Sequence, residues 1–421
     1  MHLTPSGRAI LNFPQSDWVS DKKHYDWEQL GKDLSTNDAA LRRVRAALAK
    51  PVLDNELDFR LGAKMPCTNL SKTKMLAHWL GSSCQLALHQ GRNADALDSL
   101  IAELQLARSL EDDRILISEL VRIAILAIAR ADTWETLHAE GWTDADLALL
   151  QEQWQRISYI DSLARSFEGE RVFVAVTMQT ARDSNAEAYN VWFGLAQFMN
   201  TSGGAHSFWV DIIPGGEETR DFFRKEILCR AWRFAWLDQS EVRELRQIDH
   251  LIGFTLQAGK DKSLAKIGPA IDEFITESRI QGFYNHLRYP NDDSLGTTSR
   301  VILRVLRAET ERSLTLAAIA LKRYQLRHGK VPENLSVLVP EFLPAVPIDY
   351  MNGTPLKYRP HSDGTFALYS VGEDTRDDGG DGSLAPESAT GGSSILALSG
   401  SRNRKDLLWP EVASPADSDS H

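Results

Sequence analysis

A chain of 421 residues with 43% hydrophobic and 25% charged side chains has room for about two or three domains and at least one large core. Its formal net charge of -11 argues against general nucleic-acid binding, which draws on a positive surface. The three cysteines, Cys67, Cys84 and Cys229, are widely spaced, so they give neither a disulfide framework nor a paired metal motif and read as small core residues.

In chain order, residues 1–35 mix aromatics with Pro, Asp and Lys and show no clear period, so an irregular segment is expected there. The opening "MHLTPSGRAILNFPQSDW" lacks the apolar run of a secretory signal. Taken as given, the chain reads as soluble and cytoplasmic. A targeting segment or membrane anchor removed ahead of Met1 would instead place it in the bacterial envelope or periplasm. From 36 to 290 the period is helical nearly throughout, with Leu97, Leu100, Ile101 and Leu104 on one face and Leu116, Leu120, Ile123 and Ala127 on another. The apolar stretch Ile115 to Ala131 is interrupted by Glu119, Arg122 and Arg130, and is too short and too charged to span a bilayer. Thr143 ahead of Asp144 and Asp146 reads as a helix N-cap, and Gly91 as a helix stop. "LGSSCQLALHQGRNADALDSLIAELQLARSL" has the grammar of one tetratricopeptide-type helix pair. The expected fold is therefore mainly α: an irregular antiparallel helical-hairpin array, with a four-helix bundle variant as the rival.

"NTSGGAHSFWVDIIPGGEE" (200–218) reads as a long loop, and "RYPNDDSLGTTSR" (288–300) as the best domain boundary. A long helix is expected from Thr298 to the stop at Gly329. Prolines then forbid continuous helix; "ENLSVLV" can make a short one, and "LKYRP" and "FALYSVG" alternate as two strands joined by "HSDG". The stretch after Asp381 is rich in Gly, Ser and Ala, "DLLWP" reads as a further short strand, and 411–421 as a disordered tail. Residues 298–410 thus form a small α+β module.

The ordered residues Tyr324, Gly329, Pro332, Leu335, Pro347, Asp349, Gly353, Pro355, Tyr358, Ser370, Gly372 and Asp374 make 308–381 resemble the soluble domain of the type II secretion major pseudopilin. The resemblance implies a long helix packed on a small antiparallel sheet, ending in a turn that opens a calcium-binding loop. It covers under a fifth of the chain. The family's "GFTLxE" processing motif is matched only by "GFTLQA" at 253–258, mid-chain and without its acid, so pilus assembly in the family's manner is not implied. The whole chain, a helical region followed by this module, also looks like bacterial envelope proteins of the planctomycete type.

Chemistry candidates are few. "GEDTRDDGGDGS" offers Asp374, Asp377, Asp378 and Asp381 among glycines, and hard cations take about six to eight oxygens. The residues alone allow either a calcium cage or a solvated acidic turn; the spacing is not that of an EF-hand. By resemblance Asp374 matches the first carboxylate of the calcium loop and Asp406 the acid near its end. Any calcium here would be structural. Glu168, Glu170 and Arg171 of "FEGERVF" are candidates for a polar interhelical active site, although residues two apart on a helix point apart and an anchor between helices reads better. The Trp- and Arg-rich helix 222–237 is a candidate for peripheral membrane contact, or a core helix with an arginine outer face. The histidines have no metal-ligand spacing, and no nucleotide-binding or nucleophile-elbow motif occurs. The expected function is a non-enzymatic envelope scaffold binding a protein partner.

Overall fold

The computed structural model describes residues 27–50, 55, 57–67, 69–191, 217–289, 294–383 and 404–409. The protein is mainly helical, with one small antiparallel sheet. The first helix, α1 (Trp27–Leu48), begins inside the segment expected to be irregular. Leu30, Leu34, Leu41 and Leu48 bury one stripe of it. Gly31, Ser35, Thr36 and Asn37, all weak helix formers, mask that stripe in the sequence.

Helices α2 (Leu70–His89) and α3 (Asn93–Arg108) form the expected hairpin, turning at Gly91 with φ 69°. The Arg92 N–H donates to the Ala87 carbonyl at 2.8 Å and closes the helix end. α4 (Leu116–His138) packs across both. α5 (Asp144–Gln155) opens with the expected cap, a capping box in which Thr143 Oγ1 accepts from the Asp146 N–H at 3.2 Å and the Asp146 carboxylate accepts from the Thr143 N–H at 3.1 Å. α6 (Tyr159–Asp183) and α7 (Asn185–Tyr189) follow. The chain is described again from α8 (Glu217–Phe223), a π-helical turn (Arg224–Leu228) and α9 (Cys229–Ala235). Then come α10 (Leu237–Asp261), α11 (Leu264–Ser278), α12 (Phe283–Arg288) and the long α13 (Ser294–His328). The loop expected at 200–218 lies almost wholly outside the described residues, as do 290–293 of the expected boundary, the Gly/Ser stretch at 384–403 and the tail.

After α13 come a 3-10 turn (Leu335–Leu338) and strands β1 (Lys357–Pro360), β2 (Phe366–Ser370) and β3 (Leu407–Trp409), in the order β1-β2-β3. Both pairings are antiparallel, with Tyr358 opposite Leu368 and Leu368 opposite Trp409. The two expected strands, their hairpin turn and the third short strand are all present. α13 packs on β2 and β3 and also on α4, α5 and α6. One apolar core accordingly runs from Leu30 of α1 through Leu306 and Ile319 of α13 to Trp409 of β3. The first two N–H groups of α11, from Leu264 and Ala265, donate to the Tyr350 and Met351 carbonyls at 2.8 and 2.9 Å. Those orphan donors are thus satisfied by the sheet region.

A satellite core of Met178, Ala181, Cys229, Trp232 and Leu237 holds α9 against α6 and α10. Trp232 is fully buried and donates from Nε1 to Ser240 Oγ at 3.0 Å. Trp236 is half-buried, edge-on to Tyr284 at 5.5 Å. The 222–237 segment therefore turns its tryptophans inward, while Phe222 and Phe234 are 64% and 78% exposed.

Candidate functional site

The acidic loop leaves β2 at Ser370 and is closed from the other side by β3. Gly372 is where the two chain segments touch: a Cβ there would lie 2.1 Å from the Lys405 carbonyl, and its φ is 70°. Across that contact Asp406 points its carboxylate into the loop. Its Oδ2 accepts from the N–H groups of Gly380 and Asp381 at 2.7 and 3.0 Å, and its Oδ1 from that of Asp378 at 3.4 Å. Asp406 returns its own N–H to the Asp381 carbonyl at 3.0 Å. Closure across the Gly/Ser insertion is thus made, and it is made by hydrogen bonds.

Three of the other acids, Asp374, Asp377 and Asp381, are engaged as well. Asp381 Oδ2 lies 2.7 Å from Lys405 Nζ, and that hydrogen bond is the chief reason its carboxyl is held down at about 2. Asp377 accepts from Tyr369 Oη and the Gly379 N–H, both at 3.1 Å, and lies 3.3 Å from Lys357 Nζ. Asp374 turns one oxygen onto the Arg376 N–H at 3.0 Å. Burial lifts its carboxyl, and the charge of Asp378 adds to the lift. Asp378 is exposed. Calcium asks for about six to eight oxygens converging on one point. Among the described residues no three His, Cys, Asp or Glu side chains converge in that way. As arranged, Asp406 faces backbone donors, and Lys405 already supplies a cation to Asp381.

Beneath the loop and beside the sheet, five of the residues that carry the resemblance bond to one another in two separate groups. Asp349 is fully buried. It accepts from the Met351 N–H, from Ser370 Oγ and from the Val371 N–H, each at 2.9 Å. Ser370 Oγ accepts in turn from the Gly372 N–H at 3.2 Å. Tyr358 Oη donates to the Pro332 carbonyl at 2.9 Å.

Glu168, Glu170 and Arg171 do not share a pocket. Glu168 is exposed, and Arg171 pairs on the surface with Asp249 at 3.2 Å. Glu170 turns inward and accepts the Leu116 N–H at 2.8 Å, capping the N-terminus of α4. Glu309 of α13 does the same for α6, accepting the Tyr159 N–H at 2.8 Å. A carboxylate at a buried helix start satisfies an orphan donor and complements the helix dipole. Between the two capped starts lies the fully buried Arg122, 3.0 Å from Glu119 and 3.2 Å from the Ser158 carbonyl. Gly169 allows the approach: a Cβ there would sit 1.6 Å from the Arg114 carbonyl oxygen. The motif is a helix-crossing device.

One open groove of about 360 Å³ lies between α5, the end of α13 and the 340–344 turn. Gln151, Gln155, Arg323 and Phe342 line it. Arg323 and Arg327 both pair with Asp144 of α5 and stack on Phe342, at 5.4 and 5.0 Å from the ring centre. Comparison with known protein families, curated proteins and solved structures finds no match. Among the described residues no helix is long and apolar enough to cross a membrane.

Three features lie beyond the sequence reading. Nothing in "RKDLLW" says that the Lys405 side chain folds back onto Asp381. Asp349 stands in the resemblance without a role. Glu103 and Asp132 do carry a readable signal, since each acid falls on the buried, apolar stripe of its own helix.

Proposed function

We propose that the protein is a non-enzymatic, envelope-associated scaffold, in which a tetratricopeptide-like helical-hairpin region carries a pseudopilin-like module and binds a protein partner. The observation that carries this reading is that residues of the resemblance set bond to one another, Asp349 with Ser370 and Ser370 with Gly372 under the loop, and Tyr358 with Pro332 beside the sheet. Those residues are scattered in sequence and belong to the set on which the resemblance rests. Several of the candidate chemical groups support it too, because Glu170, Asp377, Asp381 and Asp406 are engaged in holding helices or loop together.

The groove between α5 and α13 is the partner surface in this reading, and Gln155 at its rim is exposed. Gln155→Trp fills the groove without touching the core. Copurification of the tagged chain with secretion-apparatus proteins of its own source cell is expected to be lost in this variant, at an unchanged melting temperature. An identical set of bound proteins for wild type and variant removes the groove from the proposal. Failure of both to bind any envelope protein removes the scaffold.

Calcium enters as a competitor. To bind, it must displace Lys405 from Asp381 and recruit Asp374 and Asp378 with loop carbonyls. Exchanging chelator for millimolar calcium is therefore expected to leave the wild-type melting temperature in place, whereas Lys405→Met acquires a calcium-dependent rise that Asp374→Ala abolishes. A calcium-dependent rise in the wild type, lost in Asp374→Ala and Asp381→Ala, establishes a resident metal instead.

A further inference from the structure

Helices α2, α3 and α4 meet on a pair of acids that the loop and the groove do not involve. Glu103 of α3 and Asp132 of α4 are both fully buried. The two carboxyls face each other, and the charge of Asp132 bears directly on Glu103. Asp132 Oδ1 also accepts from Gln85 Nε2 of α2 at 2.7 Å. Both oxygens of Glu103 and Oδ2 of Asp132 lack a well-formed hydrogen bond, and only the Gly81 backbone of α2 lies close enough to favour a charged Glu103. Two fully buried carboxylates facing each other are strongly disfavoured as a doubly charged pair, so a proton on one of them is favoured.

The neighbours offer no compensating charge. From α2 comes the Cys84 thiol, pushed up by burial and by the charges of Asp132 and Glu103. α4 adds Glu135, a further negative group. α1 brings Arg45, whose guanidinium is committed to Ser83 and Ser99 at 2.7 and 2.9 Å. α5 brings the neutral Trp154, donating to Thr133 at 3.0 Å. α13 brings Glu311, 3.6 Å from Arg130 of α4.

We propose that Glu103 and Asp132 form a proton-linked latch, in which one shared proton ties α3 to α4 over α2 and its loss at alkaline pH loosens that corner of the helical region. The pair titrates as a unit. Burial lifts Glu103 well above its ordinary 4.5 and Asp132 from 3.8 to about 6. Both values are raised on folding, so the folded state holds more protons than the unfolded one. The stabilisation is complete below the ordinary carboxylate range. It is lost as pH rises, first through about 6 and then until the shared proton leaves.

The test is unfolding of the full chain between about pH 5 and about pH 9, for wild type, Glu103→Gln and Asp132→Asn, where one retained proton makes the folding constant fall about tenfold per pH unit. The wild type is expected to show that slope and Glu103→Gln, whose amide donates to Asp132, to lose it. Infrared difference spectra of the wild type supply a readout that needs no variant. A protonated-carboxyl carbonyl band is expected at neutral pH, disappearing at alkaline pH. Absence of that band at neutral pH, or an unchanged slope in Glu103→Gln, overturns the latch.

Discussion

Gly169→Ala is expected to destabilise the protein by about 3 kcal/mol or more, the upper end of overpacking costs. The new methyl would lie 1.6 Å from the Arg114 carbonyl oxygen and 2.8 Å from its carbon. Both are backbone atoms, so no side chain can swing away. Arg114 is itself at φ 55°, just before α4, and the cap that Glu170 gives Leu116 is two residues further on. Pushing the chain back therefore breaks the cap together with the packing. Gly253→Ala is the control. It too is helical, a methyl there would meet nothing within 4 Å, and the change should gain about 0.5–1 kcal/mol from helix propensity. Thermal or urea unfolding of the two variants gives opposite signs if the close crossing, rather than glycine itself, sets the effect. Equal signs remove that explanation.

Asp349→Ala is expected to cost on the order of 4 kcal/mol, since it strands two buried backbone N–H groups and one hydroxyl at once. The loss should be local first. Amide exchange at Met351 and Val371 is expected to quicken before that of α2 or α3, because those two N–H groups donate directly to the missing carboxylate. Ser370→Ala keeps the carboxylate and both amide bonds to it but releases the Gly372 N–H, and should cost about 1–2 kcal/mol. Similar losses for the two variants would mean that the network, and not the carboxylate at its centre, supports the turn.

The helices and strands are legible in the sequence where the apolar period is clean. The α2–α3 hairpin, the Thr143 cap and the β1–β2 hairpin follow from spacing, capping chemistry and turn residues that act over four or five positions. α1 escapes because polar weak helix formers surround its four leucines, and tertiary burial decides its state. The candidate site is half legible. That "GEDTRDDGGDGS" bends back on itself can be read from its glycines. That Asp406 closes it with backbone N–H donors, and that Lys405 neutralises Asp381, depends on contacts across more than twenty residues. Glu170 shows the same limit: its spacing from Glu168 says the two diverge, but only the fold shows a helix start waiting for it.

The long α13 has a mechanical consequence. At about 1.5 Å rise per residue its 35 residues make a rod of about 52 Å. Arg323, near its end, grips Asp144 of α5, and Arg307, between four and five turns earlier, grips Glu373 at the base of the acidic loop. The helix is continuous between those two grips, so a load applied at the loop is delivered axially into the helical region and does not dissipate in a linker. A partner that twists the loop would exert torque on α5 through the same rod.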